Sequence, residues 1–125
     1  MRKPSKTTVR NRLDKKWSLA VRSKGACEVC GKSNEQGQLH PHHVVGRGDL
    51  KLRWDLRNGV CLCAGCHTFA KLSAHNNPIW FMDWMEENRG EDLAYLKDKI
   101  KESPKPYSVQ DYLQIEVELS TAYQG

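Results

Sequence analysis

Cys27-Glu28-Val29-Cys30-Gly31 and Cys63-Ala64-Gly65-Cys66 are two C-x-x-C knuckles in one short chain. Paired knuckles are a tetrahedral metal signature, because soft thiolates suit Zn²⁺ and four of them close its coordination sphere. A closed sphere has no position for a substrate, so Cys27, Cys30, Cys63 and Cys66 are expected to form a structural zinc site. The chain needs such a staple. Its 125 residues are 38% hydrophobic and 28% charged, with a mean hydropathy of −0.72, a composition that buries only a modest core. Metal-binding free energy then becomes folding free energy. The fifth cysteine, Cys61, lies in the apolar run Val60-Cys61-Leu62 and is expected to be a small buried hydrophobe, not a ligand.

Around and between the knuckles lies a second pattern that the zinc does not require. Gln38-Leu39-His40-Pro41-His42-His43-Val44-Val45 reads as a short strand, and Gly46-Arg47-Gly48 as a loop. Asn58-Gly59 precedes a second strand over residues 60–62, which runs straight into Cys63. Residues 64–73 fit a helix with His67 in its first turn. Successive strand side chains point to opposite faces, so His42 and His43 cannot do the same job in the same way. His40 shares the face of His42. His75, eight residues beyond His67, would lie roughly 12 Å from it on a continuous helix and is expected not to join the same site.

In this order of elements the sequence resembles the HNH nuclease family, the ββα-metal nucleases. The resemblance rests on His42-His43-Val44-Val45, on Asn58 with Gly59-Val60-Cys61-Leu62-Cys63, and on Cys66-His67, and it covers residues 27–71. It implies an α+β fold: a zinc-stapled ββα-metal core flanked by an N-terminal basic helix and C-terminal helices. It also implies a metal-dependent endonuclease that hydrolyses DNA phosphodiester bonds. In that reading His42 and His67 hold a catalytic divalent ion, His43 is the general base that activates water, and Asn58 braces the loop carrying His43. His40 is an alternative ligand. Many relatives carry an acid where His42 stands. Neutral imidazoles favour Mn²⁺, Co²⁺ or Ni²⁺ over Mg²⁺. Where some nucleases of this type place a further histidine, this chain has Lys71, expected to touch a phosphate. The flanks, with Pro78-Ile79-Trp80-Phe81, resemble more loosely the small phage-encoded HNH proteins of the NinG/Rap recombination type, which would work in the host cytoplasm.

The rest of the chain is expected to be helical. Val9, Leu13, Trp17 and Val21 recur every four residues within an amphipathic helix over residues 7–24, behind a disordered tip at residues 1–6 and closed by Gly25. Asn77-Pro78 opens a helix carrying Ile79, Trp80, Met82, Trp84 and Met85, with Trp80 and Trp84 read as core and not as a base-stacking platform. Residues 91–102 form another around Leu93, Leu96 and Ile100, and Ser108 with Asp111 caps a last helix carrying Leu113, Val117, Ile115 and Leu119. These readings divide the chain into a basic tip and helix (1–25), the HNH core (26–75) and a helical extension (76–125).

Charge follows the same division. Residues 1–24 hold nine Lys/Arg against Asp14 alone, whereas residues 86–125 hold nine acids against five bases. A basic arm points to a polyanion, DNA in duplex or branched form. Arg12, Lys15 and Lys16 are the expected backbone contacts, with Arg47, Arg53 and Arg57 between the strands as clamps on the phosphates near the cut. No recognition helix with a base-reading pattern stands out, so little sequence specificity is expected. No apolar run approaches the roughly 20 residues of a membrane span, and the start lacks a secretory pattern. The expected location is cytoplasmic and reducing, where cysteines serve as metal ligands. A non-catalytic zinc module that binds nucleic acid or protein is the alternative. It would not require His43, Asn58 and His67 together.

Overall fold

The computed structural model describes residues 3–123. Helix α1 (Lys6–Arg22) begins at Ser5, whose hydroxyl accepts the Thr8 N–H at 3.1 Å. The expected disordered tip does not extend over residues 5 and 6, which are cap and first turn; residues 1 and 2 lie outside the described residues. Val9, Leu13, Trp17 and Val21 are all buried, as four-residue spacing requires. Gly25 follows with a φ of +76°, its N–H on the Arg22 carbonyl.

Strands β1 (Leu39–His43) and β2 (Gly59–Cys63) form an antiparallel pair in which Leu39 faces Cys63 and His43 faces Gly59. Every residue of β2 is buried. A Cβ at Gly59 would run into Val21 and Trp17, so glycine lets α1 lie directly on the ribbon. The connection from 44 to 58 is gathered by fully buried Asn58. Its Oδ1 accepts the Val45 N–H at 2.7 Å, and its Nδ2 donates to the carbonyls of Val45 and Leu52 at 2.9 and 3.0 Å.

The helix expected over residues 64–73 does not form. The chain instead makes one wide π-type turn, Gly65–Phe69, closed by the Ala70 N–H on the Gly65 carbonyl. It then folds back. The Asn76 amide donates to the carbonyls of Thr68 and Ala70 at 2.7 and 2.9 Å. The N–H groups of Ala74 and His75 return to the carbonyls of Cys66 and His67. Those carbonyls are the acceptors a continuing helix would use, so these bonds end it.

Helix α2 (Pro78–Asn88) starts at the Asn77 cap, which accepts the Trp80 N–H. It buries Phe81 and Met85. Trp80 and Trp84, expected as core, are only half-buried against its edge, and Ile79 is exposed. Helix α3 (Gly90–Lys99) buries Leu93 and Leu96 but stops before exposed Ile100. Helix α4 (Val109–Ala122) forms the full Ser108–Asp111 capping box. Its buried face is Tyr112 and Leu119, with Leu113 and Ile115 half-buried and Val117 exposed, so the expected stripe is rotated. α4 packs along α1. One cluster of buried side chains runs from α1 through the ribbon to α4, giving an α+β fold built on a zinc-type ββα core whose third element is a single turn. Among the described residues no helix is long and apolar enough to cross a membrane.

Candidate active site

The Sγ atoms of Cys27, Cys30, Cys63 and Cys66 all lie within 4.8 Å of one another. Cys30 and Cys63 are 3.7 Å apart, against about 3.8 Å for the edge of a tetrahedron with Zn–S bonds of about 2.3 Å. The first knuckle is tight because Gly31 takes a φ of +79° and its N–H reaches the Cys27 carbonyl at 2.9 Å. Four soft donors with no carboxylate among them fit structural zinc. Cys61 is fully buried outside this set. Burial, with the charges of Glu28 and Cys27, pushes its thiol up to about 11.

A second cluster forms where β1 meets the wide turn. One ring nitrogen each from His42, His67 and His75 lies within 4.8 Å of the other two. The Nε2 atoms of His67 and His75 are 3.1 Å apart, a spacing that two cis ligands of one ion with metal–nitrogen bonds of about 2.0–2.1 Å would have. The expectation that His75 stands apart is corrected: the chain reverses at Phe69 and brings it back beside His67. The signal lay in Asn76-Asn77-Pro78, which opens a new helix at once and leaves no room for the old one to run through His75. His40 shares the His42 face, but it meets the other side of His67, Nδ1 to Nδ1 at 2.9 Å.

Two of these rings, His42 and His67, are held neutral. Burial, then the neighbouring imidazoles His67, His75 and His43, pushes His42 down to about 3. Burial, then His75 and His40, pushes His67 down to about 4. Each takes up protons on unfolding whenever the pH is below about 6.5. The stability gained by burying them neutral is therefore complete above that pH and lost as the pH falls towards 3. Melting temperature should fall from pH 7 to pH 4, and His42→Gln should flatten that slope. Equal slopes would remove His42 as its source.

His43 points to the opposite side of β1. Its ring stacks on Trp17 of α1 with centroids 3.8 Å apart and planes at 12°, and its Nε2 is 2.9 Å from the Arg53 carbonyl. A carbonyl only accepts, so Nε2 carries the proton and neutral His43 presents Nδ1 as a lone pair. Burial lowers its pKa, assisted by the charges of Arg47 and Arg53 against the pull of the carbonyl and Asp14. The ring lines a cleft of about 230 Å³ with Asp14, Trp17, Ser18, Pro41 and Arg47.

The expected phosphate contacts divide. Arg53 is bound through Nε and Nη2 to both Asp14 oxygens, at 3.0 and 2.8 Å. Arg47 shares Asp14 through one nitrogen at 3.1 Å and keeps its side chain 61% exposed. Arg57 is tied to Asp92 of α3 with its guanidinium over Tyr95. Lys71 and Lys15 are exposed. Arg12 and Lys16 both bind Glu116 of α4, at 2.9 and 3.2 Å, so the acidic end of the chain covers part of the basic face. Sequence reasoning missed Asp14, a carboxylate that collects Arg47, Arg53 and the Trp54 N–H. Burial acts to raise its pKa, but these partners outweigh that and hold it below the usual carboxylate range.

Residues 27–70 match the HNH endonuclease family, which supports a nuclease at the family level and a nucleic acid as its substrate. No curated protein and no solved structure matches the chain.

Proposed function

Proceeding from the HNH match over residues 27–70, we propose that this protein is a metal-dependent endonuclease that hydrolyses DNA phosphodiester bonds with little regard for base sequence. The observation that carries the reading is the division of labour across β1: three clustered imidazoles on one side, and on the other a histidine whose Nε2 is committed and whose Nδ1 makes no hydrogen bond among the described residues. β1 pairs only with β2 among the described residues, so a phosphodiester lying along its free edge meets both sides. His43 Nδ1 accepts the proton of the attacking water, which its neutral state permits near pH 7. Arg47, exposed at the mouth of the cleft, exchanges its single bond to Asp14 for a phosphate oxygen, because Asp14 keeps Arg53 and Trp54. His42, His67 and His75 hold the divalent ion. When bound, it supplies Lewis-acid stabilisation of charge on the phosphate and the leaving oxygen.

Three neutral imidazoles with no carboxylate favour Mn²⁺, Co²⁺ or Ni²⁺ over Mg²⁺. Nicking of supercoiled plasmid, measured across that series after loosely held metal is removed, tests the reading. His75→Ala should raise the metal concentration for half-maximal rate by about tenfold or more. A protein that fails to nick with every metal of the series is the non-catalytic zinc module instead. A metal requirement unmoved in His75→Ala would take that residue out of the site.

A further inference from the structure

We infer that α1 completes the catalytic site, with Trp17 as a positioning residue that stacks on His43 and, together with the Arg53 carbonyl, leaves Nδ1 as the one nitrogen facing the cleft. This rests on the assignment of His43 as the base. An imidazole is oriented by two restraints, its plane and one direction within that plane. The indole supplies the plane, at 3.8 Å and 12°. The Arg53 carbonyl on Nε2 supplies the direction. Either alone leaves a rotation that would swing Nδ1 away from its proton donor, and misplacement of a reacting group by about 1 Å can cost about a hundredfold in rate.

Both restraints are set by the same helix. Trp17 is itself fixed: it is buried, its Nε1 donates to the Asp55 carbonyl at 2.9 Å, and the absent side chain of Gly59 lets it close on β2. Asp14, three residues earlier and so on the same side of α1, grips Arg53 through two bonds and takes the Trp54 N–H at 2.8 Å. That holds the segment whose carbonyl bonds His43. The family match begins at residue 27. It includes His43 and Arg53 but neither α1 residue that holds them.

The test compares Trp17→Leu, Trp17→Phe and Leu13→Ala in the full-length zinc-bound protein, at a temperature where circular dichroism shows each folded. Leu13→Ala creates a core defect on the same helix stripe at a residue that supplies neither the stacked ring nor the hydrogen bond to His43. Trp17→Leu should lower the single-turnover rate at saturating plasmid tenfold to a hundredfold with DNA affinity unchanged. Trp17→Phe, which keeps an aromatic plane, should recover most of that rate, and Leu13→Ala should lose melting temperature but not rate. Independently of cleavage, ¹⁵N NMR at neutral pH should show His43 as a single Nε2–H tautomer in the wild type and as a mixture in Trp17→Leu. If that variant does not fold, Asp14→Asn, at a partly exposed position, should give the mixture by loosening Arg53. The clamp is overturned by a wild-type rate in folded Trp17→Leu, by an equal loss in Leu13→Ala, or by an Nδ1–H or mixed tautomer in the wild type. A wild type that cuts nothing would sink the assignment of function, while the tautomer comparison would still decide whether α1 orients the ring.

Discussion

Cys27→Ser or Cys66→Ser should release zinc and unfold the protein. Each knuckle contributes two sulfurs to one cluster, so the ion joins the start of the core to the end of β2. Leu39, at the far end of β1, pairs with Cys63, which places the metal at one end of the ribbon. Apparent binding free energies for structural zinc are about 10–16 kcal/mol near neutral pH, as large as the whole stability of an ordinary domain, about 5–15 kcal/mol. A chain that is only 38% hydrophobic has little else to offset that loss. Zinc stoichiometry and far-ultraviolet circular dichroism are the measurements, with Cys61→Ala as the control. Cys61 is buried yet outside the cluster, so its removal should cost stability but keep the metal. A Cys27→Ser protein with stoichiometric zinc and an unchanged melting curve would show that the cluster is not the staple.

What the sequence reveals, and what it hides, follows from how local each interaction is. The knuckles, the period of α1, the Asn77 cap and the Ser108–Asp111 capping box involve residues a few positions apart, and spacing alone shows them. His75 was illegible by counting turns, because a helical count assumes an unbroken helix, and two bonds from Asn76 to main-chain carbonyls break it. Periodicity placed Trp17 in the core without saying what it would face. That neighbour is His43, brought there by the close approach of α1 to Gly59. Charge blocks mislead in the same way. Read along the chain, Arg12 and Lys16 are a free basic face; in the fold, Glu116 lies on them from a helix 104 residues away from Arg12. The polar groups nearest the candidate base, Asp14, Arg47 and Arg53, assemble only in three dimensions.

His43→Ala should separate fold from chemistry. The ring belongs to neither metal cluster, and the specific contacts it loses are one hydrogen bond to the Arg53 carbonyl and one aromatic stack, each worth about 1 kcal/mol. The variant should therefore stay folded, keep its zinc and bind DNA as before, since Arg47 and the imidazole cluster are untouched. Cleavage should fall by about 10²–10⁴, the usual contribution of a positioned general base. The deletion enlarges a cleft already about 230 Å³ in volume and floored by the Trp17 ring. Added imidazole should enter that space, stack where the side chain stood, and restore part of the single-turnover rate in proportion to its neutral fraction. An inert alkyl amide of similar size should restore nothing, because it has no basic nitrogen to take the proton. A folded His43→Ala protein that cuts at close to the wild-type rate would remove His43 as the base. A slow variant that imidazole leaves unchanged would indicate that the lost ring had held the loop and not the proton.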